Sequence, residues 1–459
     1  MAHRGRELTV GFLAGRSALV AGAGVAGRSA AEALLAAGAT VTVTDSSADR
    51  LAAMGELLPG VDLVAGLVAP PEGVDLVVTS PGWRPDNPLL AASAAAGVEV
   101  IGEVELAWRM AAELADPPAW LVVTGTNGKT TTVTMLESIL RAAGLDAIAC
   151  GNVGLPVVDA LLAGHRVLAV ELSSFQLHWS PSVRPTAGVL LNVAEDHLDW
   201  HGSLEAYARA KAGALVGDVA IAGVDDPYVA ALLTGSPGTA HVGITLGEPE
   251  EGQLGVAGGY LVDRAFGPDS RLAAVADVTP GGPPGIADAL AAAALARAYG
   301  VAPEAVRQGL LDFRPGDHRG VVVGEVGGVR YVNDSKATNP HAAVASLRSH
   351  ESVVWIAGGL LKGASVADLV RAEAHRLRAA VLIGADRAAI AAALAEHAPA
   401  VPVVELAEGG MAGAVRAAAG FARPGDAVLL APAAASMDMF ADYAHRGRAF
   451  AEAVRELAG

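Results

Sequence analysis

A glycine-rich loop with one lysine stands between an apolar strand and a predicted helix. Its residues are Gly125, Thr126, Asn127, Gly128, Lys129, Thr130 and Thr131. Such a loop points backbone N–H groups at phosphates, while the lysine neutralises the β and γ oxygens and the first threonine hydroxyl binds Mg²⁺. The usual pattern has a glycine where Val123 stands. The sequence predicts a variant phosphate loop, and the alternative is a Gly-Lys-Thr turn without a ligand.

Acidic side chains follow two further predicted strands. Glu171 ends the strand 167–170, and a second group, Glu195, Asp196, His197 and Asp199, follows the strand 189–192. A carboxylate at the carboxyl end of a central strand, near a phosphate loop, is placed to hold Mg²⁺ directly or through water. The alternatives are a solvent-facing glutamate and a solvated acidic loop. Lys211 lies in a predicted helix, where spacing alone gives it no role.

A second glycine-rich turn lies near the N-terminus. Gly22, Gly24 and Gly27 follow a strand and open a helix, and the next strand ends in Asp45. This arrangement is typical of a diphosphate-binding turn at a helix N-terminus, with an acidic residue about 20 residues further on. The alternative is an ordinary glycine-rich turn of an α/β unit.

Polar loops also follow strands in the last third of the chain. The segment 333–339 reads NDSKATN and precedes an X-Pro helix start, which is more hydrogen-bonding capacity than a helix cap needs. The segments 358–363 and 431–436 follow apolar strands as well. Strand carboxyl ends are where α/β folds place ligand sites.

The elements that must position these residues alternate between apolar strands and alanine-rich helices. This alternation predicts an α/β fold with parallel sheets. Breaks at 115–118 and 313–317 divide the chain into domains 1–114, 115–315 and 316–459. The segment 235–284, rich in Gly and Pro, is predicted to be an irregular or antiparallel appendage.

Composition bounds the class of protein. The chain has 459 residues, 52% of them hydrophobic, which excludes global disorder. The net charge of −17 argues against general nucleic-acid binding. Cys150 is the single cysteine, so there is no intrachain disulfide or cysteine metal cluster, and a reducing compartment is favoured.

Membrane association and secretion are not expected. No run of about 18 mainly apolar residues is present, as a membrane span requires. The N-terminal segment lacks the continuous apolar core of a signal peptide. We therefore expect a cytoplasmic monomer that acts on small molecules.

Taken together in this order, the motifs resemble those of the Mur ligases of peptidoglycan synthesis, in the D-glutamate-adding branch. The resemblance covers nearly the whole chain and rests on GTNGKT at 125–130, GNVG at 151–154, ELSSFQL at 171–177, NVAEDHLD at 192–199, YARAK at 207–211, His318-Arg319, NDSKATN at 333–339 and ASMDMF at 435–440. The ATPase motifs are shared with folylpolyglutamate synthases, whereas NDSKATN is the narrower signal. The resemblance implies three domains: an N-terminal Rossmann-like domain, a central P-loop ATPase-type domain with a mostly parallel sheet, and a C-terminal Rossmann-like α/β domain.

The resemblance also implies roles for individual residues. The N-terminal domain then binds a UDP moiety and not NAD, and the UDP-MurNAc-L-Ala substrate contacts Gly22, Gly24, Gly27, Asp45, Ser46, Ser80, Gly82, Asn152 and Ser173. ATP and two Mg²⁺ ions are held by the phosphate loop together with Glu171, His197 and Lys211 as an N-carboxylated lysine. From the third domain Arg319, Asp334 and Lys336 reach the nucleotide. D-glutamate is held by Thr338, Lys362, Ser436 and Tyr443.

This chain departs from the family pattern at three places. Where Gly-x-His-Asn-x-x-Asn is frequent, it has GPPGIAD at 282–288, so Gly285 offers no adenine-contacting side chain and Asp288 ends the motif. Leu360 replaces a frequent Asp before Lys362, and Tyr443 stands where Phe is frequent.

The implied reaction is ATP-dependent amide formation through an acyl phosphate. Residues of separate domains must converge for it, which predicts domain closure on ATP. Three other hypotheses remain open at this point: another Mur-type or folylpolyglutamate-type ligase, an NAD-dependent dehydrogenase based on Gly22, Gly24, Gly27 and Asp45, and a nucleotide-gated binding protein without chemistry.

Overall fold

The structure, a computed structural model, describes residues 11–458. The expectation that the chain has no signal peptide concerns an N-terminal segment that lies, up to residue 10, outside the described residues. Two compact units are present: the described residues up to Asp277 with Ala287–Phe313, and Val278–Ile286 with the described residues from Arg314 onward. Among residues 11–458, no helix combines the length and apolar character needed to cross a membrane.

The first unit begins with a five-stranded parallel sheet. Its strands are β1 (Ser17–Ala21), β2 (Thr40–Asp45), β3 (Asp62–Ala65), β4 (Leu76–Thr79) and β5 (Glu99–Gly102). Its helices are α1 (Val25–Ala36), α2 (Ala48–Leu57), α3 (Pro88–Ala95) and α4 (Glu103–Ala112). The strand order is β3-β2-β1-β4-β5. Because the order reverses at β1, the loops after β1, β2 and β4 meet at one crevice, as the predicted Rossmann-like fold requires.

A nine-stranded sheet forms the rest of the first unit. Its strands are β6 (Ala119–Thr124), β7 (Ala147–Gly151), β8 (Val167–Glu171), β9 (Ala187–Leu190), β10 (Val219–Gly223), β11 (Ala240–Ile244), β12 (Gln253–Ala257), β13 (Tyr260–Asp263) and β14 (Ser270–Ala274). The helices are α5 (Lys129–Ala142), α6 (Val157–Leu162), α7 (Ser174–His178), α8 (Leu198–His201), α9 (Leu204–Ala212), α10 (Pro227–Thr234), α11 (Gly282–Ala298) and α12 (Pro303–Asp312). The first residues of α11, up to Ile286, are part of the second unit. The order is β14-β13-β12-β11-β10-β9-β6-β8-β7.

The centre of this sheet is buried on both faces. Every residue of β8 and β9 is buried, and so is β6 from Trp120 onward. Their uniformly apolar sequences fit this burial, since strands covered on both sides lack a polar face. The carboxyl ends of β6, β8 and β9 therefore open onto one edge of a rigid sheet.

The segment 235–284 differs in part from its prediction. Strands β12, β13 and β14 do pair antiparallel, as expected. They are not a separate appendage, however, because β12 pairs in parallel with β11 and so extends the nine-stranded sheet. Glycines and prolines in the short connections obscured the strand pattern.

Helix α4 docks the two sheets of the first unit against each other. The buried carboxylate of Glu103 accepts a 2.6 Å hydrogen bond from the backbone N–H of Val158 at the start of α6. Buried Glu105 accepts hydrogen bonds from the hydroxyl of Ser182 at 2.5 Å and from Arg109 at 2.8 Å. Burial raises the pKa of Glu103 to about 7, although the α6 N–H groups oppose the shift.

The second unit is built on a six-stranded sheet. Its strands are β15 (Val321–Val326), β16 (Val329–Asn333), β17 (Val353–Gly358), β18 (Leu377–Ile383), β19 (Val403–Glu405) and β20 (Ala427–Leu430). The helices are α13 (Pro340–Arg348), α14 (Ala367–Glu373), α15 (Arg387–His397), α16 (Gly410–Phe421) and α17 (Tyr443–Ala458). The order is β15-β16-β20-β17-β18-β19, with only β15 antiparallel among the described strands. Insertion of β20 between β16 and β17 brings three strand ends together.

Candidate active site

The phosphate loop connects β6 to α5 in the predicted strand–loop–helix order. Gly125 and Gly128 have φ values of 156° and 87°, conformations that L side chains rarely adopt. Asn192, at the end of β9, braces the loop: its side chain accepts from the N–H of Asn127 at 2.9 Å and donates to the Asn127 carbonyl at 3.1 Å. The N-terminus of the fourteen-residue α5 is thereby held open toward an anion.

Two lysines meet at one carbonyl of this loop. Lys129 Nζ donates to the carbonyls of Gly125 at 3.0 Å and Thr126 at 2.9 Å, and Lys211 Nζ donates to the Gly125 carbonyl at 2.7 Å. Lys211 is 2% exposed and lies 4.7 Å from the centre of the Tyr207 ring. Burial, with the nearby charge of Lys129, lowers the pKa of Lys211 well below its ordinary value. No local sequence pattern predicted this burial.

Glu171 is the centre of a second group. Its carboxylate accepts 2.7 Å hydrogen bonds from the Thr130 hydroxyl and from the Asn152 side-chain amide. The predicted Mg²⁺ ligands Thr130 and Glu171 are thus adjacent, with Glu171 1% exposed. Mg²⁺ keeps several waters and phosphate oxygens and needs only one or two protein carboxylates, so this donor pair fits the ion. Within residues 11–458, no group of three His, Cys, Asp or Glu side chains forms a dedicated metal cage.

His197 lies on the loop after β9 with a left-handed backbone, at φ 53°. Its Nε2 is 3.6 Å from a carboxylate oxygen of Asp196, and its ring packs 4.8 Å from that of Phe175. Burial lowers its pKa, and the charges of Lys211 and Lys129 act in the same direction while Asp196 opposes them. A neutral imidazole near both lysines is a competent ligand or hydrogen-bond acceptor.

Aromatic side chains surround this corner of the first unit. The ring of Phe175 packs against His197, Trp200 and His201, and His201 Nε2 lies 2.9 Å from the Ser174 hydroxyl. The Tyr207 hydroxyl lies 3.0 Å from the Thr126 hydroxyl. Ser173, expected to contact substrate, caps the short helix α7 through a reciprocal bond pattern with Gln176. Its substrate contact stays a prediction.

The N-terminal glycine turn forms the crevice expected of a diphosphate site. Gly22 has φ 108°, and a Cβ there would lie 2.3 Å from the Ser80 hydroxyl. Asp45 accepts hydrogen bonds at 2.9 Å from the N–H groups of Ala23 and Ser47. Burial favours the neutral carboxyl, but these bonds outweigh it and hold the pKa of Asp45 below its ordinary value. Asp45 therefore holds the turn in place, and the neighbouring Ser46 is exposed. Their contact with a UDP moiety stays a prediction.

Asp288 lies behind the phosphate loop. Its carboxylate accepts a 3.2 Å hydrogen bond from the Thr132 hydroxyl, and a Cβ on Gly128 would lie 2.2 Å from it. The side chain thus contacts the start of α5, in the motif where the family pattern differs. Gly285 cannot carry a side chain without a shift, because its Cβ would lie 1.8 Å from the Pro280 carbonyl.

Three loops of the second unit, 333–339, 358–363 and 431–436, follow the adjacent strands β16, β17 and β20; we call them the three-loop cluster. Backbone hydrogen bonds join them: Leu360 and Ala435 exchange bonds of 2.8 and 2.9 Å, and Ala433 donates to Ala337 at 3.0 Å. They carry Asp334, Lys336, Thr338, Lys362 and Ser436. The second unit thereby brings three of the four predicted D-glutamate residues, Thr338, Lys362 and Ser436, onto one sheet edge.

The residues in and around the three-loop cluster differ in their contacts, protonation and backbone conformation. Lys336 Nζ lies 4.1 Å from the centre of the Tyr443 ring. Burial raises the pKa of Asp334 to about 6, opposed by the Ser346 hydroxyl and by the charge of Arg319. Lys362 has a left-handed backbone, at φ 53°. Leu360, which replaces a frequent Asp, contributes its backbone to the bridge with Ala435.

Some residues of these sites had no role in the sequence analysis. Asn192 and Tyr207 lay within quoted motifs, but their contacts with the phosphate loop depend on strand order. Arg446 was not singled out at all, yet it is 1% exposed and hydrogen-bonds to all parts of the three-loop cluster. One signal existed, since Arg446 precedes buried Phe450 by one helical turn.

Curated relatives match almost the whole length of the chain. The UDP-N-acetylmuramoylalanine–D-glutamate ligase of Nocardia farcinica is 57% identical over 97% of this chain and 98% of its own length. Those of Thermobifida fusca and Mycolicibacterium smegmatis are 56% and 52% identical, over 97% of this chain and 100% and 97% of their own. The chain belongs to this family of Mur ligases.

Family models agree with the three-domain organisation of the Mur ligases. The MurD-like N-terminal domain matches residues 16–102, the Mur ligase middle domain 123–257, and the glutamate ligase domain 318–434. Both the resemblance and the three-domain α/β fold are therefore confirmed, while the boundaries near 115 and 315 stay predictions.

Solved structures share the fold at low sequence identity. A pseudomurein peptide ligase type C from Methanothermus fervidus superposes with a TM-score of 0.58 at 18% identity, over 96% of this chain and all of its own. The UDP-N-acetylmuramate-alanine ligase MurC of Thermotoga maritima gives 0.55 at 17% identity, over 96% and 99%.

Proposed function

We propose that the chain joins D-glutamate to UDP-N-acetylmuramoyl-L-alanine with ATP, a step of peptidoglycan precursor synthesis. The observation that carries this proposal is the identity of 52–57% to D-glutamate ligases over almost the whole chain. The dehydrogenase hypothesis leaves the phosphate loop and Glu171 without a purpose. A solved folylpolyglutamate synthase/dihydrofolate synthase shares the fold at only 21% identity, with a TM-score of 0.52.

The first chemical step activates a carboxylate. An oxygen of the L-alanyl carboxylate attacks the γ-phosphorus of ATP, and the bond to the β,γ-bridging oxygen breaks. ADP departs, and the carboxylate has become an acyl phosphate. Catalysis of such a transfer is mainly positioning and charge neutralisation. The loop N–H groups and Lys129 bind the triphosphate, and Asn192 keeps the loop in its binding conformation.

Mg²⁺ is required in this scheme because two anions must approach each other. Thr130 and Glu171 would hold one ion, and His197 with modified Lys211 would serve a second. Bound there, Mg²⁺ supplies neutralisation of the phosphate oxygens. The chain itself contributes the orientation of Glu171, whose second oxygen is fixed by Asn152.

Lys211 requires modification to take part in metal binding. An ammonium cannot ligate a cation, whereas a carbamate, formed when the neutral amine adds to CO₂ and releases a proton, is an anionic oxygen ligand of the kind Mg²⁺ prefers. Support comes from its burial beside Gly125 and Lys129. We therefore propose the carbamate form as the active one.

The second step forms the amide. The amine of D-glutamate attacks the acyl carbon and loses a proton to a base that we leave unassigned, and the tetrahedral intermediate expels phosphate. We propose that Thr338, Lys362, Ser436 and Tyr443 bind the amino acid, and that Arg319, Asp334 and Lys336 serve the nucleotide. Support comes from their shared position on the three-loop cluster and α17, apart from Arg319, which lies near Asp334.

The test is phosphate release by the purified chain with ATP, Mg²⁺ and UDP-N-acetylmuramoyl-L-alanine. We expect release that depends on D-glutamate, with L-glutamate and D-aspartate at least about 100-fold poorer, as misplacement of the attacking amine would cause. Turnover with L-glutamate at an equal rate, or without any UDP substrate, would contradict the proposal.

Compartment and assembly are finer points of the same proposal. We propose a cytoplasmic monomer, supported by the need for ATP and by the free thiol of Cys150, which is buried. Sedimentation of the purified chain at micromolar concentration tests the monomer; a mass near twice 45.9 kDa would contradict it.

A further inference from the structure

A fully buried arginine lies beneath the three-loop cluster. Arg446, in the first turn of α17, is 1% exposed, and a charge removed from water is strongly unfavourable unless it is hydrogen-bonded. Its Nε donates to the Ser335 hydroxyl at 3.0 Å and its Nη2 to the Ser335 carbonyl at 2.9 Å. Its Nη1 donates to the carbonyls of Ala434 at 3.0 Å and Gly358 at 3.4 Å.

These partners are all neutral oxygens. Among the described residues, none of the hydrogen bonds of Arg446 is to a carboxylate, and the attraction of Asp438 acts without a direct bond. Burial lowers the pKa of Arg446 to about 10, so the guanidinium is charged at neutral pH. A buried cation without a paired anion adds little net stability, which leaves geometry as the reason for its presence.

The partners belong to three different loops. Ser335 lies on 333–339, Gly358 begins 358–363, and Ala434 lies on 431–436. The planar guanidinium, with donors in a fixed fork, sets the spacing of its acceptors more strictly than any other side chain. One group therefore fixes the relative positions of the three strand ends.

Each of these loops carries a residue proposed to hold D-glutamate. Thr338 stands three residues after Ser335, Lys362 four after Gly358, and Ser436 two after Ala434. Tyr443 lies one turn before Arg446 on α17, and its carbonyl accepts a 2.7 Å hydrogen bond from the Ser335 hydroxyl.

We propose that Arg446 is a positioning residue for the amino-acid site: it does not touch D-glutamate but sets the distances between the groups that do. The inference rests on the proposed function. Docking of α17 does not require it, because Phe450 and Val454 bury the helix in the apolar core of the second unit.

Three variants test the proposal. Arg446→Lys keeps the charge and loses the fork, Arg446→Ala leaves space for added guanidinium, and Ser335→Ala removes one acceptor. Arg455→Lys, at an exposed position of the same helix, is the matched control. The KM for D-glutamate, ATP and the UDP substrate are measured separately, with thermal unfolding of each variant.

We expect Arg446→Lys to raise the KM for D-glutamate about 10- to 100-fold, the range for loss of one or two charge-assisted hydrogen bonds. Ser335→Ala should raise it about threefold to tenfold. The KM for ATP and the UDP substrate should stay within about twofold, and millimolar methylguanidinium should partly restore Arg446→Ala. Arg455→Lys should match the wild type.

A uniform rise of all three KM values, or an unchanged KM for D-glutamate in folded Arg446→Lys, would overturn the proposal. If Arg446→Lys does not fold, Ser335→Ala decides, since a selective rise supports the proposal and no rise refutes it. Failure of the proposed function itself is distinct, because the wild-type chain would then show no turnover that depends on D-glutamate. Acyl-phosphate formation without D-glutamate, trapped by borohydride, should be equal in Arg446→Lys and wild type.

Discussion

Two buried cations, one in each unit, bind backbone carbonyls and are equipped for opposite tasks. Lys211 has three N–H donors, and among the described residues its Nζ hydrogen-bonds only to the Gly125 carbonyl. Arg446 donates from each of its three nitrogens. An amine with unused donors and a lowered pKa is suited to change its chemical state. A guanidinium with an acceptor for every nitrogen is suited to stay as it is.

The difference between Lys211 and Arg446 shows what the burial of a charged side chain does and does not indicate about its role. Burial alone does not separate a reactive group from a structural one, because both side chains are at most 2% exposed. What separates them is how many hydrogen bonds the charged form makes relative to those it can make. The following predictions test that criterion in order of expected effect.

The largest effect is expected at Lys211. Lys211→Ala should lower kcat about 1000-fold, the upper range for loss of an electrostatic partner of the transition state. Added formate or acetate should recover part of the rate if a carbamate is the active group. The exposed neighbour Arg209→Ala is the control. Full activity of Lys211→Ala with an unchanged Mg²⁺ requirement would contradict the carbamate proposal. Lys211 would then be a structural cation, as Arg446 is.

A smaller loss is expected at Glu171. Glu171→Gln keeps the shape of the side chain but removes its charge, so Mg²⁺ should bind more weakly. Its single amide oxygen can accept from either Thr130 or Asn152, the two donors to the carboxylate. We expect kcat/KM for MgATP to fall about 100-fold and to recover partly at high Mg²⁺. Rates measured from 1 to about 100 mM Mg²⁺ check this. A Mg²⁺ dependence equal to that of the wild type would mean that Glu171 only braces the loop.

Tyr207 supports both Lys211 and the phosphate loop. Tyr207→Phe keeps the ring beneath the Lys211 ammonium and removes the hydroxyl that lies 3.0 Å from Thr126. Losing one neutral hydrogen bond corresponds to about 1 kcal/mol, so we expect a roughly fivefold rise in the KM for ATP. Tyr228→Phe, at an exposed tyrosine of the first unit, is the control. A loss as large as that of Lys211→Ala would show that the hydroxyl acts in chemistry.

Glu103 extends the comparison to a buried acid and concerns stability only. Its folded pKa of about 7 lies above the ordinary 4.5, so the folded chain binds the extra proton between these values. The contribution of protonated Glu103 to the free energy of unfolding is therefore fully present below about pH 4.5, and it is lost as the pH rises toward 7. The facing groups are Asp159, the Cys150 thiol and the N–H groups of Val157 and Val158.

Glu103→Gln should remove this dependence. At pH 8 the variant should be more stable than the wild type by about 1–3 kcal/mol, and near pH 5 the two should be equal. Urea unfolding at both pH values measures the difference, with the exposed Glu113→Gln as control. A wild type that gains stability between pH 5 and pH 8 relative to the variant would contradict the assignment.

Sequence reasoning reached the parts of the site that local patterns specify. The phosphate loop, Glu171 and the N-terminal glycines Gly22, Gly24 and Gly27 lie at strand ends. Strand ends can be predicted from the sequence, because apolar runs followed by glycines mark them. The contacts of Asn192 and Lys211 with the phosphate loop could not be predicted from local patterns, because they depend on which strands are neighbours, and only the family resemblance gave Lys211 a role. Arg446 and Arg455 are indistinguishable as helical arginines until the buried face of α17 is known.

Helix α4 has a consequence for the kind of molecule the first unit accepts. Through Glu103 and Glu105 it joins the small sheet to the large one, so the Gly22 turn and Asn152, both proposed to contact the UDP substrate, belong to one packed unit. A ligand that binds at both positions must match the distance between them. We therefore expect a precursor shorter or longer by one building block to reach only one of the two positions.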